Sequence, residues 1–83
     1  MDYDAEADVL YVALGQPRPA ESEDHESGVI LRFAMDRNEP CGATVVGYSR
    51  NKWPERLSEL SDVIAQHLKV KASEVSEAIL RAT

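Results

Sequence analysis

Asp4, Glu6 and Asp8 set carboxylates at alternate positions, the spacing with which an acidic loop gathers a hard cation such as calcium. A calcium loop of that kind needs glycine at its sixth position and a bidentate glutamate at its twelfth. Counted from Asp4, this chain has Val9 and Gly15 there. The pattern therefore reads as a turn, in which Asp4 accepts backbone N–H bonds and the other acids face water. The second metal candidate is Glu23 with His25, within the run Glu21 to Glu26. Alternate positions of a strand would put both ligands on one face, but two ligands do not close a site. The run reads as a solvated edge carrying a pH-sensitive histidine, and it is where a bound cation is expected if there is one.

Cys41 has no histidine or helix N-terminus beside it in sequence to generate a thiolate, and a strand cysteine is commonly an inert small hydrophobe. His67 falls near the end of an apolar helical repeat, where a partly positive imidazole suits the helix dipole. The chain holds no phosphate-binding glycine loop, no nucleophile elbow and no zinc-helix motif. No catalytic residue, cofactor or metal ligand set is predicted, and the chain is not expected to be an enzyme.

The elements that carry these residues divide the chain into a sheet and a helical tail. Val9 to Leu14 is an unbroken apolar strand, with Leu10, Val12 and Leu14 on one face and Val9, Tyr11 and Ala13 on the other. Both faces want cover. Gly15 to Ala20, with Pro17 and Pro19, is a loop leading into an acidic edge strand over Glu21 to Glu26, where charge discourages edge-to-edge pairing. Val29 to Met35 alternates again, with Ile30 on the second face. Asp36 to Pro40 forms a polar turn, and Cys41 to Ser49 makes a last strand whose Gly42 and Gly47 mark a bulge or close backbone approach.

Pro54 can open a helix, and Leu57, Leu60, Ile64 and Leu68 follow helical spacing. Val75, Ala78, Ile79 and Ala82 define a second helix with Ser73 as N-cap. The expected fold is α+β: one domain over 1–83, with an antiparallel β-meander of about four strands over 1–50 and a C-terminal αα-hairpin over 51–83.

Eighty-three residues bury only a thin core, so a second copy covering one sheet face would contribute materially to stability. The lone cysteine excludes an internal disulfide. Charge is unevenly placed: residues 1–49 carry ten acids and three bases, net −7, while residues 50–83 carry six bases and five acids, net +1. Nucleic acid is disfavoured by the front half, whereas a basic protein would be attracted. No apolar run is long enough to cross a membrane, and the acidic start lacks the basic and apolar regions of a secretory signal, so a cytoplasmic location is expected.

The front segment has a recognisable pattern in Tyr3, Asp4, Glu6, Ala7, Asp8, Leu10, Tyr11 and Val12. Glu21, Ser22, Gly28, Val29, Ile30 and Leu31 extend it, as do Gly42 and the strand ending at Ser49. Over residues 2–50 the chain resembles the small bacterial proteins grouped as domain of unknown function 2283. Ala43 and Tyr48 depart from the aliphatic and small residues expected there, and the two helices exceed the usual family end. The resemblance implies a small oligomeric sheet domain without an assigned activity, often encoded beside small toxin-like proteins.

The leading functional expectation is an oligomeric protein-interaction module, a homodimer, with Val9, Tyr11, Ala13, Ile30 and Trp53 at its interface. The alternatives are an antitoxin-like neutraliser of a small basic ribonuclease, and a metal-binding protein or metal-dependent enzyme centred on Glu23 and His25.

Overall fold

The apolar strand Val9 to Ala13 is too hydrophobic to lie at an edge, and in the computed structural model, which describes residues 1–16 and 18–83, it is paired on both sides. Five strands form one antiparallel sheet: β1 (Asp2–Asp4), β2 (Val9–Ala13), β3 (Ala20–Asp24), β4 (Ile30–Ala34) and β5 (Pro40–Val46). Their spatial order is β1-β2-β5-β4-β3. The chain thus departs from a simple meander at one step, because β5 enters between β2 and β4 and leaves the acidic β3 at the far edge. Pro17, assigned above to the loop before β3, lies outside the described residues.

Register fixes the two faces. Leu10 pairs with Val45, Val12 with Ala43 and Leu31 with Ala43, so Leu10, Val12, Leu31, Ala43 and Val45 share one side. That side packs against a short 3-10 turn (Trp53–Arg56) and two helices, α1 (Leu57–Leu68) and α2 (Ala72–Ala82). Leu60, Ile64 and Leu68 of α1, with Val75 and Ile79 of α2, complete this single core. The three-and-four spacing of these residues places them on one helical stripe, which is why both helices pack on the same side of the sheet.

The last strand ends at Val46 rather than Ser49. Gly47 adopts φ +69° and turns the chain, and its N–H donates to the Asp8 carbonyl at 2.8 Å. Within β5 the register shifts opposite Arg32 and Phe33, the irregularity that Gly42 suggests from sequence. His67 reaches this point from α1. Its Nε2 lies 3.0 Å from the carbonyl oxygens of both Arg32 and Gly42, so it carries the proton and donates to both. The ring also meets Phe33 edge-on at 4.9 Å. A contact from helix to sheet, beyond any dipole effect, accounts for this histidine.

The N-cap of α2 is Lys71, in extended conformation and without a side-chain cap bond, and Ser73 already lies inside the helix. Lys71 stands three residues before Glu74, so Lys71→Ser would create a capping box. We expect this change to stabilise the protein by about 1 kcal/mol in chemical denaturation, with Ser73→Ala near neutral.

Candidate functional site

Asp8, expected to face water, is instead the polar hub of the family-like front segment. It sits in the left-handed region at φ 58°, which aspartate tolerates better than most residues. Its Oδ1 accepts from the Tyr3 hydroxyl at 2.6 Å, from Ser49 N–H at 2.9 Å and from Ser49 Oγ at 2.8 Å, while Oδ2 accepts from Arg50 N–H at 3.0 Å. The Asp8 carbonyl also accepts from Gly47 and Tyr48. The Tyr3 hydroxyl first, then the Ser49 and Arg50 amides, hold the Asp8 carboxyl well below its ordinary range. The same hydrogen bond to Asp8 raises the Tyr3 phenol above its usual value, with burial adding in the same direction. Every donor is a structural neighbour, so the cluster ties the β1–β2 hairpin to the exit of β5. Asp4 plays the expected part, accepting from Glu6 and Ala7 N–H at 3.1 and 3.2 Å in the turn.

The sheet face away from the helices is the candidate interaction surface. By register it carries Val9, Tyr11 and Ala13 from β2, Gly42, Thr44 and Val46 from β5, and Ile30 and Arg32 from β4. Tyr11 is 46% exposed and Val46 49%. Gly42 leaves a dip between Ala13 and Arg32, and a groove of about 250 Å³ lies there, lined also by Tyr11, Arg18 and Thr44. Thr44 is only 9% exposed, and its hydroxyl has no hydrogen-bond partner among the described residues. Arg32 is half-buried and likewise has no ion-pair partner among them, whereas Arg18 reaches Glu39 at 3.4 Å.

Four of the five residues expected at an interface, Val9, Tyr11, Ala13 and Ile30, fall together on this face. Trp53 departs from that expectation. It is 3% exposed in the chain's own core, with the Arg56 guanidinium 4.2 Å above its ring. Glu23 is exposed on β3, and His25 lies just beyond the strand, where Nδ1 accepts from Ser27 N–H at 3.1 Å. Among the described residues no three His, Cys, Asp or Glu side chains gather as a metal site. Cys41 is a buried free thiol. Thr44 and Arg32 were not singled out by sequence. Their alternation with Gly42 and Ile30 was visible, but the insertion of β5 that sets them side by side was not.

No helix among the described residues is long and apolar enough to cross a membrane. No curated protein and no solved structure matches the chain. A family model described as protein of unknown function (DUF2283) matches residues 1–42, which run from β1 through β4 into β5 and include Asp8 and four of the five expected interface positions, all but Trp53. With 42 of its 83 residues matched, from Met1 to Gly42, this chain belongs to the DUF2283 family.

Proposed function

We propose that this protein is an oligomeric protein-interaction module that self-associates, as a homodimer, through the sheet face opposite its helices. The carrying observation is the apolar content of that face, with Tyr11 and Val46 about half exposed beside Ile30 and Ala13. Contiguous exposed apolar surface on a small chain marks a contact site. The accessible surface supports the same reading, since 5397 Å² exceeds the roughly 4900 Å² that size scaling gives for a compact monomer of 9.2 kDa.

Light scattering coupled to gel filtration at tens of micromolar tests this, with twice the chain mass expected. Val46→Lys, at an exposed position, should return the mass to one chain while the far-ultraviolet spectrum stays unchanged. A wild-type protein that is strictly monomeric under these conditions overturns the proposal.

A second reading is favoured by a separate observation. Asp2, Glu6, Glu21, Glu23, Asp24 and Glu26 are exposed, and none takes part in an ion pair among the described residues. Such a field suits a basic protein, as an antitoxin-like neutraliser of a small ribonuclease would require. Co-expression with the product of the adjacent gene followed by pull-down tests it, and the absence of a complex removes it.

A further inference from the structure

The groove at the Gly42 dip reverses the charge pattern of the half of the chain that builds it. Residues 1–49 contain ten acids and three bases, yet two of those bases, Arg18 and Arg32, line the groove, and none of the acids does. Arg32 projects from the middle of the sheet, where its cross-strand neighbours are Ser22 and Gly42, so no carboxylate stands directly opposite it on either side. Arg18 arrives from the loop before β3 and reaches Glu39 at 3.4 Å. Arg37 holds that same carboxylate at 4.0 Å and would retain it if Arg18 turned to another anion. A half-buried guanidinium without an anion gives up hydration and gains no pairing, and its planar fork matches a carboxylate.

The remaining lining is apolar or small. Tyr11 and Ala13 of β2 form one wall, and Cys41 and Gly42 lie at the start of β5. Arg32 pairs with Gly42 while Phe33 pairs with Pro40, so Cys41 is the extra residue of a bulge at the groove. The volume of about 250 Å³ falls below the roughly 300–1,000 Å³ of pockets that hold drug-sized ligands. One ring or short chain bearing a single acidic group is the size that fits. Tyr11, 46% exposed, offers such a ring a flat apolar surface.

We propose that this groove is a binding site for a small free carboxylic acid with a compact aromatic body, its carboxylate held by Arg32 and Arg18 and its ring against Tyr11 and Ala13. The site goes beyond self-association and does not depend on it. Because the groove lies on the open face, the acid and a second copy compete for the same surface.

The test is a titration followed by backbone amide resonances, made on the single-chain species, wild type or Val46→Lys as light scattering decides. The probes are phenylacetate, its neutral analogue phenylacetamide, and acetate, which lacks the ring. Phenylacetate should shift the Ala13, Arg32 and Gly42 amides saturably with a dissociation constant of about 1 mM or tighter, and the other two should bind at least about tenfold more weakly. Arg32→Gln should weaken phenylacetate about tenfold, and Arg18→Gln, whose side chain is 38% exposed, only about threefold. Ala13→Leu, at an exposed position, keeps both charges but fills the groove, and should weaken phenylacetate as much as Arg32→Gln does, with the remaining amide spectrum unchanged. No saturation by about 10 mM phenylacetate, equal binding of the amide, or full affinity in both Arg32→Gln and Ala13→Leu overturns the site. An acetylated dipeptide ending in phenylalanine presents the same acid on a chain, and tighter binding of it than of phenylacetate overturns the free acid in favour of a protein terminus. In a dimeric wild type, phenylacetate should lower the mass toward one chain. Saturable binding to a wild type that is monomeric at every concentration overturns self-association and leaves the site standing.

Discussion

Gly42→Ala is expected to lower the melting temperature more than any other single-methyl change in this protein, and Gly42→Val to abolish cooperative unfolding. A Cβ on Gly42 would fall onto the carbonyl oxygen of Val12, with the Val12 carbonyl carbon 3.4 Å and the Ala13 Cα 3.5 Å away. These are backbone atoms of the paired central strand, so no side chain can swing aside, and relief requires β2 to move off β5. The bulge that receives His67 would move with it. Overpacking typically costs about 1–3 kcal/mol, and a clash confined to backbone belongs at or above the top of that range. A domain of this size has roughly 4–12 kcal/mol in total. Gly28→Ala is the control. It meets nothing within 4 Å, and only its φ of +95° is unfavourable, so its effect should be clearly smaller in the same thermal melts.

The second large effect is expected at Asp8. Asp8→Asn keeps a residue that tolerates the left-handed backbone but removes the charge from four hydrogen bonds and presents an amide donor to a donor. A melting temperature lower by roughly 5–10 °C at neutral pH is expected, with Asp8→Ala lower still. The pH dependence identifies the cause. The Asp8 carboxyl is held below its ordinary value in the fold, so its contribution is fully present above about pH 4, the unfolded carboxylate range, and fades as pH falls further. The gap between wild type and Asp8→Asn should therefore narrow from about pH 4 downward. Tyr3 has the opposite limb. Its raised phenol contributes below about pH 10 and loses that contribution as pH rises through the folded value, a loss that Tyr3→Phe should not show. An Asp8→Asn gap that stays constant into strong acid would assign the effect to geometry and not to charge.

The contrast between Asp4 and Asp8 shows what the sequence made legible. Asp4 bonds to amides two and three residues away, a turn that local chemistry predicts. Asp8 bonds to Ser49 and Arg50, across 41 and 42 residues, and no local pattern carries that pairing. The same distinction runs through the fold. Alternation identified β2 and β4 with their faces, helical spacing identified both helices, and glycine within a strand pointed to the close approach at Gly42. The position of β5 between β2 and β4 is a long-range fact, and with it came the adjacency of Tyr11, Thr44 and Ile30 on the open face. Trp53 could be read from type alone as a contact residue or a core residue, and its place under Arg56 on the helix side is decided by tertiary packing. Ser73 has the right chemistry for a cap but stands two residues too late, because the helix already begins at Ala72.

One side of the sheet is sealed by α1 and α2, while Tyr11 and Val46 on the other side remain half exposed in the single chain. Hydroxyl-radical footprinting of the wild-type protein over a dilution series, with light scattering on the same samples, tests most directly whether a second copy covers that side. Tyr11 should be protected when the mass is that of two chains and should become reactive as the mass falls to one, while Tyr48, buried in the core, stays protected throughout. Equal Tyr11 reactivity in the associated and dissociated samples, or a single-chain mass at every concentration, would contradict it.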